Sequence, residues 1–258
     1  MEFTTEFLIF TSIVIFLSAL VQATIGFGFP MIATPLLAMV TDMKTAVIYV
    51  AIPTLVLNLS VLIIEGNFLQ TIKRFYLLAI IAMIGSAIGT QILIYSNSEI
   101  FKFLLAISIL FYLFSQKISF EMPWVRSKPN LATFIFGLSA GVIGGLTNVM
   151  ALVLIIYSLE SRHSKKEIIQ STNLCFMFGK IIQIAIFIAH GSFTQEILEI
   201  SLYNLLIVGI CLMIGFNLRK KIASDSYFKF IKAFLFLMAI ALILQTFLNW
   251  RWDISPSS

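Results

Sequence analysis

The chain has 258 residues, is 60% hydrophobic and only 11% charged, and its mean hydropathy is +1.02. Soluble domains carry about 25% charged residues, so this composition excludes a water-facing globule and defines an all-α polytopic integral membrane protein. The net charge is +5, but the bases sit in short loops between apolar runs, which marks membrane topology rather than a nucleic-acid surface.

Runs near the ~20 residues that span hydrocarbon fall at 7–40, 45–64, 75–95 and 100–115, then at 131–159, 167–189, 197–217 and 228–249. The first run follows no basic leader, since the first Lys or Arg is Lys44, and is read as a retained part of the fold. It is interrupted by Gln22-Ala23-Thr24-Ile25-Gly26-Phe27-Gly28-Phe29-Pro30. The second run places Thr54 and Asn58 on one face beside Pro53, and Gly85 and Gly89 in the third form a small-residue packing step. A polar linker, 116–130, holds Lys117, Glu121, Arg126, Lys128 and two prolines, and divides a first membrane repeat, 1–115, from a second, 131–258.

The fifth run carries a similar interruption, Gly141-Val142-Ile143-Gly144-Gly145-Leu146-Thr147-Asn148, with Leu138-Ser139-Ala140 before it, as Leu17-Ser18-Ala19 precedes the first. Gly137, Gly141 and Gly145 recur every four residues, and packing is the first role expected of Gly137 and Gly141. In the sixth run Lys180 lies near the middle with no acidic residue in the run, and Asn173 and Met177 share its helix face. Cys175 and Cys211 lie inside apolar runs as small packing residues. His163 and His190 sit at segment ends, where solvation is the expected state.

The two interruptions stand about 118 residues apart (Ile25-Gly26 and Ile143-Gly144), and Ile100-Phe101-Lys102-Phe103 is echoed 127 residues later by Tyr227-Phe228-Lys229-Phe230. Two matches in the same order indicate two four-segment repeats, eight hydrophobic segments in all. Charge then compares two topologies. Single crossings by the broken segments divide the bases ten to six between the two sides, whereas re-entrant hairpins divide them thirteen to three. The positive-inside rule prefers the second. The 34 residues from 7 to 40 would also make about 51 Å of helix against ~30 Å of hydrocarbon. Three crossings plus one hairpin per half is an odd number, so the repeats would be inverted.

A buried ammonium at mid-membrane costs at least ~3 kcal/mol on insertion scales, so Lys180 is expected to face the bundle interior. With Asn173 and Asn58 it suits an anion with several oxygens; pairing with a carbonyl or with Glu65 is the structural alternative. Breaking a helix at mid-depth exposes backbone N–H groups that favour anions. Gly26, Gly28, Gly144 and Gly145 allow close approach of backbone to a ligand there, and Gln22, Thr24, Thr147 and Asn148 supply neutral donors. No catalytic residues, metal ligands or cofactor motif are read: there is no nucleophile–base pair and no phosphate-binding loop, which argues against an enzyme and against ATP-driven transport by this chain alone.

Gln22-Ala23-Thr24-Ile25-Gly26-Phe27-Gly28 with Pro35-Leu36-Leu37, and Gly137 through Gly145, resemble in order and spacing the sulfite-exporter family TauE/SafE, also called TSUP, over nearly the whole chain. The resemblance implies a multi-pass carrier of the bacterial inner membrane that exports small sulfur-containing oxyanions such as sulfite, thiosulfate or organosulfonates. An anion channel on the same pore is the alternative. Expected partners are that inorganic or organic sulfur anion and membrane lipid, with a homo-oligomer left open and no nucleic acid. The chain departs from the family pattern in having Phe29-Pro30 after the first break, Leu146-Thr147-Asn148 in the second, and Val153 where a proline is usual.

Overall fold

The computed structural model describes residues 5–96, 99–115, 122–219, 233 and 235–246, and among them every regular element is helical. The first half holds α1 (Thr5–Ile25), α2 (Phe29–Ala38), α3 (Met43–Glu65), α4 (Phe68–Tyr95) and α5 (Glu99–Ser115). A short α6 (Pro123–Ser127) lies within the expected linker, followed by α7 (Pro129–Thr147), α8 (Ala151–Glu160), α9 (Lys165–Ala189) and α10 (Gln195–Arg219). The last is α11 (Leu235–Thr246). By length and composition, α1, α3, α4, α7, α9 and α10 can each cross a membrane.

Local chemistry sets the boundaries. Gly28 is left-handed at φ 118° and Pro30 falls in the first turn of α2, where its missing N–H has no helical partner to lose. Asp42 caps α3, accepting from the Thr45 N–H at 3.0 Å, and Ser164 with Glu167 forms a reciprocal capping box at α9. Helix α4 begins seven residues before the expected 75. Lys73 and Arg74, which read as loop, lie inside it, and Arg74 ion-pairs with Glu167. The echo at Tyr227-Phe228-Lys229-Phe230, together with Lys117, Glu121, Lys220, Lys221, Lys232 and Arg251, lies outside the described residues.

Neither short helix continues across the molecule. The Phe7 ring meets Tyr49 at 5.8 Å and Gln22 bonds Asn58 at 2.7 Å. Helices α1 and α3 therefore run the same way, and α2 between them must return. Likewise Tyr157, in α8, bonds Thr133 at the start of α7 (3.0 Å), and Glu160 accepts from the Met122 N–H at 2.8 Å. Each interrupted run is thus a long limb and a half-length returning limb. The two hairpins point in opposite senses. Gln170 of α9 donates to the Gly66 carbonyl at the end of α3 (2.8 Å), so α9 begins where α3 ends, and α7 runs with α9.

The halves interlock. Helix α4 packs along α7 so closely that a Cβ on Gly141 would lie 2.1 Å from the Ala82 carbonyl oxygen, and one on Gly85 2.4 Å from that of Leu138. Gly85, Gly89, Gly137 and Gly141 are accordingly packing residues, as expected. In exchange, α10 of the second half packs on α1, with Gly215 against Ala23 and Cys211 against the Phe16 carbonyl. Cys175 and Cys211 are buried free thiols. The outward faces are rows of Ile, Leu and Phe, among them Ile84, Ile88 and Ile92 on α4 and Leu202, Leu206 and Met213 on α10. Such faces need lipid around them.

Element boundaries recur at a constant spacing of 122 positions: α1 and α7 end at Ile25 and Thr147, α2 and α8 begin at Phe29 and Ala151 and end at Ala38 and Glu160. The caps Asp42 and Ser164 keep the same spacing. The 118-residue sequence match was therefore four positions out of register. Its glycines are alike in type but hold different places relative to the breaks.

Candidate functional site

Both breaks are brought against the middle of α9, between its ninth residue, Asn173, and its sixteenth, Lys180. These two side chains lie two turns apart, about 10.5 Å along the helix. They gather two polar clusters.

The first cluster closes the break of the first half. Gln22 is fully buried in the last turn of α1. Its Nε2 donates to Asn58 Oδ1 at 2.7 Å and to Asn173 Oδ1 at 3.3 Å, and its Oε1 accepts from the Phe29 N–H at 3.0 Å. Asn173 Nδ2 donates to the Gly26 carbonyl at 2.6 Å and to that of Ile169 at 2.8 Å. Gly26 itself sits at φ 99° with Ile169 against it, a conformation and a space that suit no larger residue. Asn58 Nδ2 is buried with no hydrogen-bond partner among the described residues. Leaving such a donor unpaired costs about 1–3 kcal/mol, and a ligand oxygen would relieve it.

The second cluster closes the break of the second half. Asn148 ends α7 at φ 64°, a left-handed position that asparagine tolerates better than most residues. Its Oδ1 accepts from Lys180 Nζ, as does Oε1 of Gln183. Asn148 Nδ2 donates to Thr34 Oγ1 on α2 at 2.9 Å. Gln183 Nε2 donates to the Gly145 carbonyl at 3.1 Å and to Thr90 Oγ1 at 3.2 Å. Lys180 is only 3% exposed, and no carboxylate among the described residues pairs with it. Glu65 is not its partner.

The remaining expected residues serve the breaks rather than line a cluster. Thr24 donates to the Leu20 and Val21 carbonyls at 2.9 Å, and Thr147 to that of Ile143, while its oxygen accepts from the Val149 N–H. Gly28 provides the left-handed turn, and Gly144 packs against Met150. Gly145 does both jobs: its carbonyl holds Gln183 and its missing Cβ admits Ser86 of α4. Backbone N–H groups freed at the breaks, the expected anion cradle, are in part already held, Phe29 by Gln22 and Val149 by Thr147.

Sequence reasoning missed Gln183, Thr34 and Thr90. Gln183 was within reach, being one turn from Lys180 on the same face. Thr34 and Thr90 come from the other half of the chain and carry no local signal. Of the histidines, His190 is exposed and bonds the Tyr95 hydroxyl at 3.0 Å. His163 is wedged between the rings of Phe75 and Tyr157, at 5.3 and 5.8 Å, rather than solvated. Burial lowers its pKa from the ordinary 6.5, with Arg74 acting the same way and Glu167 opposing.

An all-helical chain with several apolar spans, oppositely directed helical hairpins and a closed polar centre holding one lysine is a polytopic membrane protein of transporter type. The chain belongs to the Sulfite exporter TauE/SafE family, which it matches over residues 11–244. No curated protein and no solved structure matches it.

Proposed function

We propose that this protein is a secondary transporter of small sulfur-containing oxyanions, sulfite, thiosulfate or an organosulfonate, exporting them across a bacterial inner membrane. Its two units, 1–115 and 131–258, act as inverted repeats of four segments each, joined by the linker 116–130. The anion site lies at mid-depth where the two hairpins meet α9, and alternating access comes from one unit rocking against the other.

Lys180 carries this reading. Its ammonium has three N–H donors, two of them directed to neutral amide oxygens. Among the described residues no carboxylate balances its positive charge, and one donor remains. Burying an uncompensated charge is costly, and an oxyanion supplies both the charge and the acceptor it lacks. Membership of an exporter family makes transport, rather than catalysis, the activity expected at such a site. Closure of the site to solvent favours a carrier over an open channel.

Radiolabelled sulfite uptake into proteoliposomes, wild type beside Lys180→Gln, tests the proposal. Saturable uptake with trans-stimulation, lost in the variant, is the expected result. Linear flux without trans-stimulation would make the protein a channel, and no uptake of any sulfur anion by folded protein would remove the substrate assignment. The inverted arrangement is tested by labelling with an impermeant thiol reagent: Lys44→Cys should react only from outside and Lys165→Cys only from inside.

A further inference from the structure

The charge inventory around Lys180 is unusually short. Helix α7 and helix α2 hold no formal charge, and those of the other helices packed about the centre stand near helix ends: Glu6 on α1, Lys44 and Glu65 on α3, Lys73 and Arg74 on α4, Glu99 and the buried Lys102 on α5, Glu160 on α8, and Glu196, Glu199 and Arg219 on α10. On α9 itself the nearest is Glu167, 13 positions away, or about 20 Å along the helix, and it faces Arg74. Every other side chain in the two clusters is an amide or a hydroxyl. Two of the amide oxygens, Asn148 Oδ1 and Gln183 Oε1, point at the ammonium and so stand beside any anion bound to it.

From this we infer that the site selects by net charge: it takes monoanions, hydrogensulfite or an alkanesulfonate, and discriminates against the dianions sulfate, thiosulfate and fully ionised sulfite. The inference rests on the transport reading above and narrows it. One cation neutralises one negative charge. The second charge of a dianion would remain buried beside two carbonyl-type oxygens, with no donor but neutral amides to receive it. Shape adds nothing to this choice, because methanesulfonate and sulfate are both tetrahedral at sulfur and present the same three-oxygen face. The spacing of 122 positions also shows where a second charge would fit. Asn58 stands at the same place in α3 as Lys180 does in α9, counted from the caps Asp42 and Ser164, and its Nδ2 is the unpaired donor of the first cluster.

The test is equilibrium binding to the purified full chain in detergent, with methanesulfonate, sulfate and thiosulfate titrated at pH 7.5, where the first is singly and the others doubly charged. The expected result is binding of methanesulfonate, with sulfate and thiosulfate at least ~100-fold weaker. Asn58→Lys should narrow that gap by ~10-fold or more, and proteoliposome competition in wild type gives the same ranking without any substitution. Sulfate or thiosulfate binding within threefold of methanesulfonate overturns the charge selection while leaving an oxyanion transporter standing. Failure of folded protein to bind any of the three, or sulfite, overturns the transport reading itself. Undiminished methanesulfonate binding by Lys180→Gln overturns the role of the cation.

Discussion

The two breaks are built alike and finished differently. Each follows a long helix that ends in a left-handed residue, Gly26 or Asn148, and each leads into a ten-residue returning helix. In the first, the left-handed residue has no side chain, and the closing contacts come from amides on three helices: Gln22, Asn58 and Asn173. In the second, the left-handed residue is itself an amide that reaches both Thr34 and Lys180. The first break is neutral and self-satisfied apart from one donor; the second holds a lysine that no carboxylate among the described residues pairs with. Two breaks of matching frame can therefore differ in charge, because frame geometry depends on caps and left-handed turns while charge depends on a single position of α9.

The largest expected effect tests that asymmetry directly. Lys180→Gln should reduce anion uptake at least ~100-fold, whereas Asn58→Leu, at the matching place in α3, should reduce it only ~10-fold. Equal losses would mean that the clusters contribute alike. Next comes the seating of the second hairpin. Gly141→Ala places a Cβ against the Ala82 carbonyl oxygen and should lower stability by about 3 kcal/mol or more, read as thermal unfolding in detergent. Gly209→Ala, with nothing within 4 Å of its Cβ, serves as the control and should be neutral or stabilising by up to ~1 kcal/mol.

The break residues themselves should behave unequally. Gly26→Ala meets both a positive φ and Ile169, and a loss of ~1–3 kcal/mol is expected. Asn148→Gly keeps the backbone conformation and removes only the side-chain bonds to Thr34 and Lys180, so about 1 kcal/mol of stability should go with a larger loss of transport. If the two substitutions cost the same stability, the distinction between backbone and side-chain closure is wrong. The smallest effect belongs to His163, which lies just before the α9 cap and has no counterpart cluster in the first half. Its pKa is held below 6.5 in the folded protein, so the unfolded chain takes up the proton first as pH falls. Stability from this group is full above about pH 6.5 and declines below it, by about 1 kcal/mol or less. His163→Gln should flatten the difference between unfolding temperatures at pH 7.5 and 5.5.

Much of the fold was legible because hydrocarbon imposes a blunt code. A lysine-poor apolar run near twenty residues long is a span whatever its neighbours, so α1, α3, α9 and α10 were placed within a few residues. Reading failed where tertiary partners changed the meaning of a residue. Arg74 looked like loop until Glu167 on α9 was placed opposite it, which extended α4 by two turns. Gly144 was read as part of a ligand cradle, yet in the structure it packs against Met150, and the break amides of Phe29 and Val149 are held by side chains.

By itself, then, the sequence determined that the protein lives in a membrane, that two of its runs are broken, and that one lysine lies at mid-span. Each of these depends on transfer free energies and backbone preferences that act locally along the chain. Only the tertiary structure decided which amides surround that lysine, that Thr34 and Thr90 from the opposite half join them, and that Asn58 is left with an open donor. Apart from the bond to Gln183, three residues from Lys180, those are contacts between positions 32 to 114 residues apart. No local pattern encodes them, because they arise only when α3, α4, α7 and α9 pack and bring their polar stripes to one depth.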